Sequence, residues 1–356
     1  MPVPEQRDPR ATCSLLATWL RDRLPDAAGL TVSGLRTPSA SGFSSEILLL
    51  DAGWIERGAP RSQALVVRVA PTAHRLFLEP RFDDQCRLMR ILDGVAGVPT
   101  PAVRWYEPDP GLLGAPFVVM DHVAGLVPPD QPTYHTEGWV VEASPADRAG
   151  LWWRSLEVLS RIHRLDVDAL GLGFVDRPEH GPTGIDQQLG YYERFLAWTG
   201  AELPVAQAAL RWLRAERPDE PGPPALLWGD ARIGNMIFRD FEPRAVLDWE
   251  MASLGQPEVD LAWFLYLDRH HSEGAGVLRL AGFPTAAETV RHYERLLGRP
   301  MRDLGYYEVF AALRFAVIMA RLGRLFIEFG LLPEDSDFPT TNTAARLLGL
   351  VLETRC

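Results

Sequence analysis

Apolar residues recur at helical spacing between residues 12 and 24. Leu15, Leu16, Trp19, Leu20 and Leu24 share one face there, which predicts an amphipathic helix. The pattern then shortens. Apolar stretches at 30–35 and 47–51 flank a Ser/Gly-rich segment, residues 37–46, and predict two strands joined by a loop. The run 64–69 (ALVVRV) predicts a third strand, apolar except for Arg68. A helix is expected over 83–92, and two more strands over 99–106 and 116–120. Together these make a small sheet lobe over residues 1–120.

From residue 146 the period becomes that of a helix. Leu151, Ser155, Val158, Leu159 and Ile162 are in step over 146–165, and further helices are expected over 187–199, 205–216, 285–297 and 306–329. One island of extended sequence, 225–247, interrupts this helical part and follows a Pro/Gly cluster at 217–224. Residues 121–356 therefore read as a mostly helical lobe with a strand-turn-strand embedded in it. The fold class is α+β.

Composition removes several chemistries. All 36 basic residues are arginine. A chain without lysine cannot form a Schiff base, carry a GxxxxGK[ST] phosphate loop or use an S-x-x-K nucleophile. Three scattered cysteines, Cys13, Cys86 and Cys356, provide neither a disulfide framework nor a zinc cluster. No apolar run approaches about 20 residues, so no membrane partner is expected. The opening MPVPEQRDPR lacks the layout of a secretory signal, and a cytoplasmic protein is expected. Residues 1–120 hold 13 Arg and 13 acidic residues, whereas 121–356 hold 23 Arg and 34 acidic residues. The net charge of −11 thus falls in the helical lobe, and this argues against nucleic acid as a partner.

The island carries the chemistry. It reads LLWGDARIGNMIF and runs on to AVLDWE. Asp230 and Asn235 lie five residues apart in a loop, and Asp248 follows a turn near Phe241–Pro243. A hairpin would return Asp248 to the side of Asn235. An amide and a carboxylate suit Mg²⁺, which takes few protein oxygens and leaves the rest to phosphate and water. A separate carboxylate, Asp230, can take the proton of an acceptor hydroxyl. The D-x-x-x-x-N spacing followed by a later Asp is that of a protein-kinase catalytic loop and its metal-binding Asp. Capping or turn formation is the alternative reading of these polar residues. His270-His271 has no metal-spaced partner and is expected in a solvated loop, while His163, on a Leu/Ile-rich helix, reads as a buried structural histidine.

The words LLWGDARIGNMIF, AVLDWEMASLGQPEVDLAWF, PSASGFSSEILLL, ALVVRVAP and APFVVMDHVAGLVP, in this order of lobes, closely resemble the aminoglycoside phosphotransferase family. The branch most similar is that of the kinase-like domains fused to acyl-CoA dehydrogenases and of actinobacterial stand-alone relatives. The resemblance implies a protein-kinase-like fold with a small antiparallel sheet lobe that binds nucleotide and a larger helical lobe. It implies an ATP- or GTP-dependent, Mg²⁺-dependent O-phosphotransferase acting on a small-molecule hydroxyl. Asp230 would be the catalytic or hydroxyl-orienting carboxylate, and Arg232 would lie near the transferring phosphate. Asn235 and Asp248 would hold magnesium. Ser41, Gly42, Phe43 and Ser44 would cover the triphosphate, and Arg68 would grip it. Met120, Asp121, His122 and Val123 would form the hinge whose backbone binds the purine. Asp260, in the GxPxxDLA word, would start a helix and tie down the loop.

Three departures bear on activity. Trp228 replaces the usual histidine before Gly-Asp, Gly234 stands where many relatives carry Asp, and Gln85 stands where kinases carry the glutamate that pairs with the strand cation. A nucleotide-binding pseudokinase is the alternative function. The acceptor stays open. The acidic lobe suits a cationic aminoglycoside, whereas Arg314, Arg321 and Arg324, spread along one face of the 306–329 helix, would suit an anionic, acyl-CoA-like molecule if they face a cleft.

Overall fold

The computed structural model describes residues 7–37, 45–72, 74–219 and 222–355. The chain divides into two compact units, Met1–Asp93 with Pro101–Val123, and Gly94–Thr100 with Ala124–Cys356.

The first unit opens with helix α1 (Pro9–Arg21), started by Asp8, whose carboxylate accepts from the N–H groups of Arg10 and Ala11. Strands β1 (Ala28–Arg36), β2 (Glu46–Glu56) and β3 (Ala59–Val69) follow. Then come α2 (Phe82–Asp93), β4 (Val103–Glu107) and β5 (Phe117–Asp121). The five strands form one antiparallel sheet in the order β1-β2-β3-β5-β4. Strand alternation sends Leu65, Val67 and Val69 into a core with Leu48, Leu50, Phe117 and Val119, against Leu16, Trp19 and Leu20 of α1. Arg68 belongs to the opposite row. It lies on a central strand, paired in register with Ile47 and Val118, rather than on a solvated edge.

The second unit holds α3 (Trp139–Glu142), α4 (Pro145–His163), α5 (Gly184–Thr199) and α6 (Pro204–Ala215). The extended island follows as β6 (Ala225–Leu227), β7 (Met236–Arg239), β8 (Glu242–Val246) and β9 (Ser253–Gly255). Helices α7 (Glu258–Arg269), α8 (Ala286–Leu297), α9 (Leu304–Glu328) and α10 (Thr343–Glu353) complete it. Hydroxyl and carboxamide caps start four of them: Ser144 before α4, Thr183 before α5, Thr285 with Glu288 in a capping box on α8, and Asn342 before α10. Helix α9 is apolar around most of its circumference and packs against α5, α6, α7 and α10, as a central helix must.

Two expectations need correction here. His270 and His271 do not sit in a solvated loop. They form a π-helical turn, His270–Gly274, that continues α7, and burial lowers the pKa of His270 to about 3, with the neighbouring His271 adding to the effect. The arginines of α9 do not form a free cationic face. Arg314 is buried, Arg321 pairs with Glu328, and Arg324 donates to the Gly200 carbonyl.

Candidate active site

The candidate site is built on the turn between β6 and β7. β6 pairs with β9, and the backbone N–H groups of Trp228 and Gly229 then leave the strand to meet the buried Asp260 carboxylate at 2.7 and 3.0 Å. Asp260 lies in the first turn of α7, is fully buried, and also meets His163 Nε2 at 3.0 Å. His163 in turn touches the Tyr293 hydroxyl. His163 is thus a buried structural group, and Asp260 ties the loop to a helix, as the sequence suggested. Gly229 has φ +90, and a Cβ there would lie 2.1 Å from the Met251 carbonyl oxygen, so no larger residue fits. Its own carbonyl accepts from Arg314 Nη2 at 2.8 Å. That guanidinium lies over the Trp263 ring, with Cζ 4.4 Å from the centroid.

Trp228 is completely buried. Its indole N–H donates to the Leu247 carbonyl at 2.8 Å and its ring packs beside Trp249. An indole at this position braces the loop by packing and by one hydrogen bond to the second arm of the hairpin.

Asp230 is held by three donors. Trp263 Nε1 reaches Oδ1 at 2.8 Å, while Asn235 Nδ2 and Arg232 Nε reach Oδ2 at 2.6 and 3.2 Å. Its side chain stays 18% exposed. Arg232 Nη1 binds both Asp130 oxygens at 2.7 Å. Burial opposes the Arg232 charge, but Asp130 and then Asp230 more than offset it, so the guanidinium is held more firmly protonated than usual. For Asp130, burial acts to raise the pKa, and the Arg232 charge overrides it and holds the carboxyl below its ordinary range.

β7 and β8 form a hairpin closed by Asp240 and Phe241, both with positive φ, as a two-residue hairpin turn requires. Its register brings the strand ends together, and Leu247 N donates to the Asn235 carbonyl at 2.8 Å. Asp248 is the next residue, with a left-handed backbone at φ 55, ψ 68. The hairpin therefore returns Asp248 to the start of β7, as its sequence spacing predicts.

The remaining predicted residues lie in the sheet unit. Arg68 is buried, donates from Nε to Ser45 Oγ at 3.1 Å, and places its Cζ 5.7 Å from the Phe82 ring of α2. Gln85, on the same helix, donates to the Pro80 carbonyl, and its Oε1 is buried with no hydrogen-bond partner among the described residues. Met120 and Asp121 end β5. The Asp121 N–H donates to the Ala102 carbonyl and the His122 N–H to the Ala64 carbonyl, so two backbone donors of the hinge segment are committed within the sheet. The Asp121 carboxylate accepts from Gln63 and Arg104. Val123 closes the unit. Ser41, Gly42, Phe43 and Ser44 lie outside the described residues.

Sequence reasoning did not single out Asp130 or assign Trp263 a role at Asp230. A buried cation calls for countercharge, but no feature of the sequence points to Asp130 as its source.

A five-stranded antiparallel sheet, a helical unit, and a catalytic-type loop braced by a buried Asp define a kinase-like phosphotransferase fold. The sequence profile of the phosphotransferase enzyme family matches residues 47–298, and the chain belongs to that family. Rat acyl-CoA dehydrogenase family member 11 is 28% identical over 358 residues, covering 96% of this chain and 43% of the rat protein. The chicken protein of the same description is 32% identical over 204 residues, 56% of this chain and 25% of its own. The chain thus spans less than half the length of these curated relatives. Among solved structures, a Ralstonia eutropha protein classed with the aminoglycoside phosphotransferases superposes with a TM-score of 0.68 at 24% identity, covering 96% of this chain and 95% of its own. A thermostable aminoglycoside phosphotransferase variant bound to AMP-PNP and hygromycin B gives a TM-score of 0.58 at 15% identity, covering 96% and 99%. No helix among the described residues is long and apolar enough to cross a membrane.

Proposed function

We propose that the chain is an ATP- or GTP-dependent phosphotransferase that moves a terminal phosphoryl group onto a hydroxyl of a small molecule. The observation that carries this reading is the Asp230 carboxylate, oriented by Trp263, Asn235 and Arg232 yet still partly open. Asp230 would orient the acceptor hydroxyl and take its proton as the oxygen–phosphorus bond forms. Phosphoryl transfer proceeds through a loose transition state, so orientation and charge placement matter more than base strength.

The donor set fits a magnesium ion. Asn235 turns its Nδ2 to Asp230, which leaves its amide oxygen as a hard ligand, and Asp248, returned by the hairpin, would supply a carboxylate. When bound there, the ion would supply charge neutralisation to the nucleotide phosphates. Arg68 would grip phosphate oxygens, with Ser41, Gly42, Phe43 and Ser44 covering them. The Met120–Val123 segment would meet the purine through its carbonyls and the Val123 N–H, because the Asp121 and His122 donors are already used. Nucleotide use is supported by relatives of the same fold held with AMP-PNP, ADP and GDP.

A hydroxyl-rich acceptor is in keeping with the hygromycin B and kanamycin carried by such relatives. The case for an anionic acceptor loses its basis, since Arg314 binds the Gly229 carbonyl and Arg321 and Arg324 are engaged elsewhere. Free Cys13 and Cys86 suit a reducing compartment and cytoplasmic action.

The test is a screen of hydroxyl compounds with MgATP and MgGTP, reading phosphate transfer by mass. Asp230→Ala should abolish product while leaving the melting temperature near that of the parent chain, and retained turnover would overturn the assignment. Gln85, with no charge to offer Arg68, favours one rival: a nucleotide-binding regulator without turnover. Thermal stabilisation by MgATP with no product from the screen would select it.

A further inference from the structure

Arg232 has three guanidinium nitrogens, and two are held. Nε meets Asp230 at 3.2 Å and Nη1 meets both oxygens of Asp130 at 2.7 Å. Nη2 has no hydrogen-bond partner among the described residues, although the side chain is 18% exposed. Asp130 comes from the segment between β5 and α3, which is pinned on both sides of it. Upstream, Leu126 and Phe238 exchange two backbone hydrogen bonds at 2.8 Å. Downstream, Thr133 Oγ1 donates to the His271 carbonyl and the Tyr134 hydroxyl to Asp268, both at 2.9 Å. His271 Nε2 lies 3.4 Å from Asp130 Oδ1, the same oxygen that Arg232 Nη1 meets at 2.7 Å. The carboxylate is therefore delivered to Arg232 by a braced segment, not by a loose surface loop.

Gly234 supports the same conclusion from another direction. A Cβ at this position would sit 2.3 Å from Arg232 Nη1 and 2.9 Å from Asp130 Oδ1, so the ion pair occupies the space a side chain would need. The absence of a side chain at residue 234 is what makes room for the pair.

We propose that Asp130 is a positioning residue: with Asp230 it clamps Nε and Nη1 of Arg232 and leaves Nη2 as a fixed donor for a phosphoryl oxygen. This deepens the phosphotransferase reading and rests on it. An arginine left to itself would have to be ordered each time an anion arrived, because its long side chain has many rotamers. A clamped guanidinium meets developing phosphoryl charge without that reorganisation. The family resemblance implies only that Arg232 lies near the transferring phosphate. Here Nε and Nη1 are both committed, and Asp130 decides which nitrogen remains.

The test uses the full chain and two readouts. Arginine side-chain NMR, with Arg232 assigned by Arg232→Gln, should show separate Nη signals from hindered rotation in the parent, collapsed signals in Asp130→Ala and Gly234→Ala, and recovery in Asp130→Glu. MgATP turnover, with water as acceptor, should fall on the order of 10-fold in Asp130→Ala with the nucleotide KM nearly unchanged, the cost of a misplaced donor. Asp130→Ala combined with Arg232→Gln should be no slower than Arg232→Gln alone. Unchanged Arg232 signals in Asp130→Ala, or additive losses in the double variant, overturn the proposal. A parent chain that neither binds nor turns over MgATP would sink the phosphotransferase reading instead, and the NMR result would still decide whether Asp130 holds Arg232.

Discussion

Trp263 donates its indole N–H to Asp230 Oδ1 at 2.8 Å, and one helical turn earlier Asp260 accepts the N–H groups that precede Asp230. Helix α7 therefore sets both the backbone and the side chain of the candidate catalytic carboxylate. Trp263→Phe keeps most of the packing and removes the donor. A hydrogen bond to a charged group contributes about 1.5–3 kcal/mol, so turnover should fall about 10-fold or more with only a small loss of melting temperature. Steady-state kinetics beside a thermal melt would check this, and unchanged kcat would remove Trp263 from the site.

Asp260 should matter for stability before it matters for rate. The carboxylate is fully buried and joins His163 Nε2 to two backbone donors. Asp260→Ala would strand all three, and removing one partner of such a buried network costs about 3–5 kcal/mol. Urea unfolding should show a lower midpoint at constant m-value. A variant as stable as the parent would mean that the loop does not depend on this helix.

Arg68 offers a test that separates nucleotide capture from chemistry. Arg68→Ala should raise the nucleotide KM about 10-fold and change kcat less, because the proposed ground-state phosphate contact would be lost. Arg68→Lys should stay within about threefold of the parent, since a point charge can serve a phosphate. Nucleotide kinetics unaffected by Arg68→Ala would place that side chain outside the site.

The acid limb of stability should report the histidine turn after α7. His270 titrates near 3 in the folded chain against 6.5 for a free histidine, because burial and the adjacent His271 disfavour its charge. Below pH 6.5 the unfolded chain binds the proton first, so stability is full above that pH and declines as pH falls toward 3. One proton gives a slope of up to about 1.4 kcal/mol per pH unit. His270→Phe, whose ring can keep the edge-to-face contact with Phe315, should flatten the plot of melting temperature against pH across this window. An unaltered slope would mean that other groups set it.

Much of this arrangement was legible in the sequence because it depends on local patterns. Short apolar stretches marked the strands, and the spacing of Asp230, Asn235 and Asp248 across a turn near Phe241–Pro243 marked the hairpin, whose turn residues are Asp240 and Phe241. The reading was weaker where a contact joins distant segments. Asp130 stands about 100 positions before Arg232 in a Pro-rich stretch, and nothing in its neighbourhood marks it as a countercharge. The spacing of Arg314 places it on one helix face with Arg321 and Arg324 but does not show that it is buried, which arginine seldom is. Its partners, the Gly229 carbonyl and the rings of Trp263, Tyr192 and Phe310, appear only once α9 is placed at the centre of its unit. Short β9 and helix α10 were missed, the first because three residues carry too little periodicity.

The two hydrogen bonds from Trp228 and Gly229 to Asp260 have a consequence for how the loop can open. These amides are tied to a fully buried carboxylate rather than to a surface turn, so no small fraying motion can bring them to solvent. Their protons should exchange only when the helical unit unfolds as a whole, at rates matching the slowest amides of α7 and α9. On heating, the region around Asp230 would then lose order at the melting temperature and not before it.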